Sequence, residues 1–230
     1  MKRYKCIVIV LAAGSGRRMN SKVKKQFLEI GDKPILVHTL EKFNNCKMID
    51  EIILVTGKDE IEFCRKEIIK KYGIVKVKKV ISGGDQRQDS VFNGLKEIEN
   101  DEDIVLVHDG ARPFIADEEI ERCILVAKQY KACVLAVRVK DTIKKVDEDG
   151  NIIKTLDRDF LWSIQTPQVF KTEILRQAHM SAIGQGFIGT DDASLVEKFT
   201  NIPIKVVEGK YTNIKITTPE DISFGEVILR

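Results

Sequence analysis

The chain has 230 residues, of which 43% are hydrophobic and 32% are charged, and its formal net charge at pH 7 is +3. A chain of this length can bury one sizeable core, and the composition is that of an ordinary globular protein. The small net charge gives no support for binding to nucleic acid, and no apolar run approaches the ~20 residues that a membrane span needs.

The first apolar stretch lies close to the amino terminus, at residues 7–11. It is too short for a secretory signal and passes directly into a glycine-rich, basic segment, so a buried first strand explains it better. The five cysteines are odd in number, and their spacing fits neither a disulfide framework nor a zinc site. We therefore expect a cytoplasmic protein with buried cysteines and no membrane contact.

In the first 140 residues, apolar runs bounded by turn residues alternate with segments whose apolar residues recur at helical spacing. The predicted strands lie at residues 4–11, 51–56, 75–81, 104–108 and 132–139. The predicted helices lie at residues 34–43, 60–72, 88–98 and 117–130, with Pro34 in a first turn and Asp117 as a cap. This alternation predicts an α/β fold with an open, mainly parallel, Rossmann-like nucleotide-binding sheet and helices on both of its faces.

The pattern changes after residue 139. Two short strand-like pieces, at residues 142–145 and 152–156, flank an Asp-Gly pair at residues 149–150, which is a strong hairpin signal. Charged residues fill this hairpin, so we expect a β-hairpin arm, at about residues 140–158, that projects from one domain spanning residues 1–230. Helices near residues 172–183 and 192–199, a strand at residues 204–207 and a closing helix from Pro219 complete the prediction.

The loop after the first strand contains only small residues before its first arginine. The carboxyl end of such a strand is where an open parallel sheet forms its ligand crevice, and small residues let backbone N–H groups approach a phosphate. A tight turn uses the same residues. Met19 stands where a dinucleotide fingerprint needs a third glycine, and the Gly-Lys-Ser or Gly-Lys-Thr end of a P-loop is absent. The small residues are Ala12, Ala13, Gly14, Ser15 and Gly16.

Five cationic residues follow this turn within nine positions. They are Arg17, Arg18, Lys22, Lys24 and Lys25. Fixed cations beside a departing pyrophosphate lower the barrier to nucleotidyl transfer, although a basic surface loop has the same composition. Their position directly after the glycine turn favours a nucleoside triphosphate site.

Two further polar segments follow predicted strands. Gly84 and Asp85 lie at the end of one strand, with Ser90 in the first turn of the next helix, which suits recognition of a base edge. The alternative is a capped turn, with Asp85 or Asp89 as the cap. Asp109 ends the fourth core strand, where a carboxylate can hold Mg²⁺ or accept hydrogen bonds from hydroxyl groups.

Residues 12–19, followed by Lys25-Gln26-Phe27, resemble the signature of the 2-C-methyl-D-erythritol 4-phosphate cytidylyltransferases of the non-mevalonate isoprenoid pathway. The resemblance extends along nearly the whole chain, because further motifs recur in the order of the family. These are residues 82–91, 107–113, 141–142, Arg158, 165–168, 190–194 and 213–215. One departure is Lys24, which stands where the family usually has proline.

The resemblance implies transfer of CMP from CTP to 2-C-methyl-D-erythritol 4-phosphate, with Mg²⁺ as cofactor and pyrophosphate as the second product. It implies that the catalytic residues are Arg18, Lys25, Arg158 and Lys215. It implies that CTP is bound by Ala12, Ala13, Gly14, Ser15, Gly16, Gly84, Asp85, Arg87, Ser90, Gly110 and Ala111. It assigns the polyol phosphate to Asp109, Arg112, Asp141, Thr142 and Thr166, with Asp109 also the candidate contact for a Mg²⁺ held mostly by CTP.

The family's chemistry also bears on the histidines and on the arm. A phosphate nucleophile is already ionised at neutral pH, so we predict a structural role for His108 rather than that of a general base. In the family the arm embraces a second subunit, which implies a homodimer in which Thr142 and Arg158 serve the partner's site. The arm's few apolar residues cannot form a core unaided.

Three other functions fit the sequence less well. Ribitol-5-phosphate cytidylyltransferase performs the same chemistry, but that relative tends to have Ala-Gly-Gly where this chain has Ala-Ala-Gly at residues 12–14. A nucleotide-sensing protein without turnover would not need both Arg18 and Lys25. An NAD-dependent oxidoreductase is disfavoured by Met19.

Overall fold

The structure is a computed structural model and describes residues 4–14 and 24–229. The predicted site residues Ser15, Gly16 and Arg18 lie outside these ranges. Within them, no helix is long and apolar enough to cross a bilayer.

A seven-stranded sheet forms the centre of the described part of the chain. Its strands are β1 (Cys6–Ala12), β4 (Glu51–Thr56), β5 (Val77–Ser82), β6 (Ile104–Asp109), β7 (Ala132–Arg138), β10 (Trp162–Lys171) and β11 (Lys205–Glu208). Their order is β11-β7-β10-β6-β1-β4-β5, and β10 runs antiparallel to both of its neighbours while the other pairings are parallel. The mainly parallel α/β sheet is therefore confirmed, but β10 is a strand that the sequence did not predict.

Helices connect these strands. They are α1 (Ile35–Asn45), α2 (Ile61–Phe63), α3 (Arg87–Lys96), α4 (Asp117–Tyr130), α5 (Thr172–Gly184), α6 (Asp192–Phe199) and α7 (Pro219–Leu229). The predicted helix at residues 60–72 is irregular, because α2 follows a 3-10 turn at Lys58–Glu60 and continues as a π-helix at Cys64–Lys70.

Two predicted helix starts differ from the structure by one residue. Pro34 precedes α1 and pairs in a small hairpin formed by β2 (Glu29–Ile30) and β3 (Lys33–Pro34). Asp117 is the first residue of α4 rather than its cap, because Ala116 occupies the cap position. The carboxylate of Glu119 accepts a hydrogen bond from the Ala116 N–H at 2.9 Å, so an acidic residue in the first turn satisfies this helix end instead.

The core lies on both faces of the sheet, because β1 is buried on both sides. Val8 and Val10 pack on the face covered by α1 and α4, while Ile7 and Ile9 pack on the face covered by α3 and α5. All four side chains are at most 4% exposed. Burial of each such side chain contributes about 1.5–3 kcal/mol, so the strand that carries the glycine turn is firmly fixed.

A two-stranded hairpin forms at the predicted position of the arm. It consists of β8 (Lys144–Val146) and β9 (Ile152–Thr155), and Gly150 adopts a φ of +85° in the turn between them. Every residue of the two strands is exposed, including Val146, Ile152 and Ile153. Packing within their own chain therefore buries little of the surface of these apolar side chains.

Candidate active site

A cavity of about 490 Å³ lies at the carboxyl ends of β1, β5 and β6. This is where an open α/β sheet binds its ligands, and the volume falls within the ~300–1,000 Å³ typical of small-molecule sites. The predicted residues that line it are Ala12, Ala13, Gly14, Lys25, Gly84, Asp85, Arg87, Ser90, Asp109, Ala111 and Lys215. The lining also includes Leu11, Gln26 and Gln86, which were not predicted as site residues.

Gln26 anchors the start of the glycine loop. Its side chain is buried, and its amide N–H groups donate to the carbonyl of Ala12 at 2.7 Å and to that of Gly14 at 3.3 Å. The two loop carbonyls are thus satisfied from the protein side. Gln26 belonged to a recognised motif, but only the structure shows what its side chain contacts.

Lys25 and Lys215 come from opposite ends of the chain and line the same cavity. The Lys25 ammonium donates to the carbonyl of Ile216 at 3.2 Å, next to Lys215 in sequence. The N–H of Ile216 donates in turn to the carbonyl of Ala111 at 2.8 Å, beyond the end of β6. These bonds bring two of the predicted catalytic cations to one place.

At the end of β5 the predicted base-binding segment forms a tight turn into α3. The Gly84 N–H donates to Ser90 Oγ at 3.1 Å, and Ser90 Oγ donates to the Gln86 carbonyl at 3.1 Å. A Cβ at Gly84 would overlap Asp89, so this position requires glycine. Gln86, not Asp85 or Asp89, occupies the cap position of α3, and its N–H donates to the carboxylate of Asp89 in the first turn at 3.0 Å. Asp85 is exposed at the cavity.

Asp109 is held between two cations. Lys215 Nζ lies 2.6 Å from Asp109 Oδ2, and Arg87 Nε lies 3.4 Å from Asp109 Oδ1. Burial alone would raise the pKa of Asp109, but Arg87 and Lys215 outweigh it and hold that pKa well below its usual range. Asp109 is therefore an ionised carboxylate at neutral pH.

A second hydrogen-bonded chain supports Asp109 from behind. The Asp109 N–H donates to Thr166 Oγ1 at 3.1 Å, and that hydroxyl lies 3.1 Å from His108 Nδ1. His108 Nε2 donates to the Arg112 carbonyl at 3.1 Å, which fits a neutral imidazole protonated at Nε2. Burial lowers the pKa of His108 to about 4, so the ring is uncharged at pH 7. This arrangement fits the structural role predicted for His108.

Three predicted site residues lie behind the cavity rather than along it. Thr166 is buried, and Arg112 donates from Nη1 to the carbonyl of Asn213 at 2.8 Å. Asn213 Nδ2 donates to the Thr166 carbonyl at 3.0 Å. Asn213 therefore connects Arg112 and Thr166 to the segment that carries Lys215. The Gly110 N–H donates to the Leu11 carbonyl at 2.8 Å, so this backbone group joins the ends of β6 and β1. The cavity lining among described residues includes none of Thr166, Arg112 and Gly110.

The predicted residues of the arm are also not brought to the cavity of their own chain. Asp141, Thr142 and Arg158 are exposed, and the cavity lining among described residues includes none of them. Arg158 Nη1 donates to the Lys140 carbonyl at 2.8 Å, a bond within the base of the arm.

The donor set at the cavity bears on the expected metal. Two carboxylates line the cavity, Asp85 and Asp109, and within residues 4–14 and 24–229 no group of three or more His, Cys, Asp or Glu side chains could hold a metal ion. Mg²⁺ in nucleotide sites is held by one or two carboxylates together with substrate phosphates and water. The residues present fit an ion carried mostly by a triphosphate, with Asp109 as one contact.

Comparisons with known proteins give the family of this chain. A sequence profile of the 2-C-methyl-D-erythritol 4-phosphate cytidylyltransferase family matches residues 6–230. A curated protein of that name from Alkaliphilus metalliredigens is 51% identical over 98% of this chain and 93% of its own length. Another of that name, from Lachnoclostridium phytofermentans, is 50% identical over 98% of this chain and 97% of its own length.

A solved structure gives the same result at the level of the fold. The crystal structure of 4-diphosphocytidyl-2C-methyl-D-erythritol synthase from Anaerococcus prevotii superposes with a TM-score of 0.87 and is 38% identical. The match covers 98% of this chain and 96% of that chain. The fold, the cavity and the sequence similarity over nearly its whole length lead to one conclusion: the chain belongs to the 2-C-methyl-D-erythritol 4-phosphate cytidylyltransferase family.

Proposed function

We propose that this chain performs the reaction of its family, transfer of CMP from CTP to 2-C-methyl-D-erythritol 4-phosphate, by in-line attack of the 4-phosphate on the α-phosphorus of CTP. The bond from the α-phosphorus to the bridging oxygen of pyrophosphate breaks as the new phosphoryl–oxygen bond forms. The observation that supports this most directly is the shared cavity of Lys25 and Lys215 beside Gly14 and Gly84.

The triphosphate of CTP lies against the glycine loop in this proposal. The small residues Ala12, Ala13 and Gly14 leave backbone groups accessible at the cavity wall. Lys25 stabilises the charge that develops on the pentacoordinate phosphorus and on the departing pyrophosphate. Arg18 has the same role by the family resemblance, although it lies outside the described residues.

The cytosine end occupies the turn between β5 and α3. Backbone groups of Gly84 and Asp85 and the hydroxyl of Ser90 line this part of the cavity. Short polar groups and backbone atoms can distinguish the edge of a cytosine from that of a larger base.

The nucleophile needs orientation more than activation. A phosphate monoester is already ionised at neutral pH, so no residue has to remove a proton before attack. Lys215, fixed by its ion pair with Asp109, holds the attacking phosphate in line. His108 is neutral, buried and 3.1 Å from the Thr166 hydroxyl, which suits a role in supporting Asp109 rather than in proton transfer.

Mg²⁺ is part of the proposal. When bound, the ion neutralises charge on the triphosphate oxygens and favours departure of pyrophosphate. Asp109 would hold it from the protein side, together with the phosphates of CTP.

A homodimer with exchanged arms completes the site in this proposal. Thr142 and Arg158 are exposed and are not among the described residues that line the cavity of their own chain. Ile152 and Ile153 are exposed on the same arm. Two-fold pairing would cover these apolar side chains and supply Arg158 to the polyol phosphate in the partner. A cytoplasmic location is also proposed, because all five cysteines are buried and unpaired, as in proteins of a reducing compartment.

The test is a coupled assay of pyrophosphate release with the purified chain, CTP and Mg²⁺. We expect turnover with 2-C-methyl-D-erythritol 4-phosphate and kcat/KM at least about a hundredfold lower with ribitol 5-phosphate. Equal or greater turnover with ribitol 5-phosphate would favour the alternative polyol. Tight CTP binding with no pyrophosphate release from either acceptor would favour a nucleotide sensor instead.

A further inference from the structure

Arg87 joins the cavity to the buried end of α6. It is the first residue of α3 and lines the cavity, where its Nε approaches Asp109. Its other contact is shorter: Nη1 donates to Asp192 Oδ2 at 2.8 Å. A guanidinium placed between two carboxylates is fixed in orientation, because its donors have a planar, rigid arrangement.

Asp192 is inaccessible to a substrate. Its side chain is 1% exposed, and it is the first residue of α6, well separated in sequence from the cavity residues. The cationic neighbour Arg87 outweighs the effect of burial and keeps the pKa of Asp192 below its usual value. Burying an unpaired charge is costly, so the buried carboxylate of Asp192 depends on its ion pair with Arg87.

His179 fixes the second oxygen of that carboxylate. Its Nε2 lies 3.4 Å from Asp192 Oδ1, and its ring stacks on Phe92 with centroids 6.0 Å apart and an interplanar angle of 13°. Phe92 belongs to α3, the helix that Arg87 begins. His179 itself belongs to α5, so its imidazole packs between α5 and α3. Its contact with Oδ1 limits the rotation of the Asp192 carboxylate.

The segment before α6 is also tied to the start of α3 by Gln88. Gln88 Oε1 accepts a hydrogen bond from the Gly189 N–H at 3.0 Å, and Gln88 Nε2 donates to the Phe187 carbonyl at 3.1 Å. Consecutive residues of α3, Arg87 and Gln88, therefore both bond to residues 187–192. The two elements form one rigid support for the guanidinium.

We propose that Asp192, oriented by His179, is a positioning residue that holds Arg87 at the cavity wall, where Arg87 orients Asp109 and contacts CTP. Asp192 acts through Arg87 and does not touch the substrate. The inference rests on the proposed function only in treating this cavity as the CTP site.

A double-mutant cycle on CTP affinity tests this without requiring turnover. The dissociation constant for CTP is measured by isothermal titration calorimetry for the wild type, Asp192→Asn, Arg87→Gln and the double variant. We expect each single change to weaken binding about tenfold, and the double variant to bind within about twofold of Arg87→Gln, because Asp192 has no role once Arg87 is gone. Additive losses, wild-type affinity in Asp192→Asn, or wild-type affinity in Arg87→Gln would each contradict the proposal.

Asp191→Asn is the matched control at the same helix end. Asp191 caps α6 by accepting a hydrogen bond from the Ser194 N–H at 2.9 Å, and it accepts another from Gln168 at 2.7 Å. Its carboxylate therefore stabilises the fold through these two partners, whereas the carboxylate of Asp192 pairs with Arg87. Its CTP affinity should stay within about twofold of the wild type even where its melting temperature falls as far as that of Asp192→Asn. A loss of CTP affinity equal to that of Asp192→Asn would show a general structural effect and contradict positioning.

Should Asp192→Asn not fold, His179→Gln replaces it in the cycle. We expect a loss of about threefold in CTP affinity with Arg87 present and none with Arg87→Gln, and equal losses in the two backgrounds would contradict the proposal. Pyrophosphate release is measured in parallel. A non-additive cycle in a chain without turnover would support Asp192 and contradict the proposed function, whereas an additive cycle in an active chain would do the reverse. A wild type that binds no CTP would contradict both.

Discussion

Lys25 and Lys24 are neighbours in sequence with different surroundings. Lys25 lines the cavity, whereas Lys24 forms an ion pair with Glu60. If Lys25 acts mainly in the transition state, Lys25→Ala should lower kcat about 10²–10³-fold, as loss of one preorganised donor does in other enzymes, while the KM for CTP changes less. Steady-state kinetics with varied CTP measures both values. Lys24→Ala is the control and should stay within about threefold of the wild type; unchanged kcat in Lys25→Ala would contradict the assignment.

His108 gives a second prediction at the scale of single residues. Because the attacking phosphate needs no base, His108→Asn should keep kcat within about tenfold of the wild type, less than general-base catalysis usually contributes. The comparison requires circular dichroism to show that the variant is folded. A loss of a hundredfold or more in a folded variant would give His108 a direct part in the chemistry.

The same histidine predicts how stability depends on pH. Burial lowers the pKa of His108 to about 4 in the folded chain, from about 6.5 in the unfolded chain, so between these values the unfolded chain binds the extra proton. The contribution of His108 to the free energy of unfolding is therefore fully present above about pH 7 and is lost as the pH falls towards 4. Between pH 7 and pH 5 we expect this contribution to fall by about 2 kcal/mol. Urea unfolding at the two pH values should show this loss in the wild type and a smaller loss in His108→Asn. Equal losses in the two proteins would place the pH dependence elsewhere.

For single residues, the sequence predicted which side chains follow the ends of strands, but it did not predict contacts between residues far apart in the chain. Gly14, Gly84 and Asp109 follow predicted strands, and strand ends in a parallel sheet meet at one edge, so their joint position in the cavity wall could be expected. The roles of Gln26 and Asp192 could not, because each depends on a partner in another element. Hydrophobic periodicity indicates which face of a helix or strand is buried, but not which side chains of other elements contact that face.

At the scale of elements, β10 is the strand that the sequence concealed. Pro167 and two glutamines interrupt its apolar pattern, and proline is normally excluded from central strands because it cannot donate to the ladder. The pairing with β7 shifts register between Ile164 and Gln168, so Pro167 falls within an irregularity where no ladder donor is needed. The π-helix at Cys64–Lys70 was concealed for a related reason, since its widened turns leave no separate signal in helical spacing.

The contact between α3 and β1 carries a prediction about packing. A Cβ at Gly94 in α3 would lie 2.8 Å from Ile9 Cγ2, inside the core. Although alanine favours a helix, Gly94→Ala should lower the free energy of unfolding by about 1–3 kcal/mol through overpacking. Gly184, the last residue of α5, has no atom within 4 Å of such a Cβ, so Gly184→Ala should instead add about 0.4–1 kcal/mol. Urea unfolding measures both, and a Gly94→Ala protein as stable as the wild type would contradict the close packing.

At the scale of the whole molecule, the arm is the part that its own chain leaves incomplete. Phe160, at its base, is 80% exposed, and Ile152 is 65% exposed. Isolated two-stranded hairpins are marginally stable in water, so an arm with such side chains needs a surface to pack on. Arg158 lies on this arm, and its guanidinium donates to the carbonyl of Lys140. Arg158 is not among the described residues that line the cavity of its own chain. A second copy of the chain would supply the missing surface, and its cavity would receive the arginine.

Complementation between inactive chains therefore tests the assembly. Lys25→Ala and Arg158→Ala should each be inactive alone. If Arg158 serves the partner's cavity, a heterodimer has one site with both changes and one with neither, so a fully exchanged equal mixture should recover about a quarter of the wild-type sites. Lys25→Ala mixed with Lys215→Ala is the control, because both lysines line the same cavity of one chain and every heterodimer site keeps a lesion. Pyrophosphate release measures the recovery, and sedimentation confirms the dimer. An exchanged Lys25→Ala and Arg158→Ala mixture that stays inactive, or a fully active monomer, would show that each chain completes its own site.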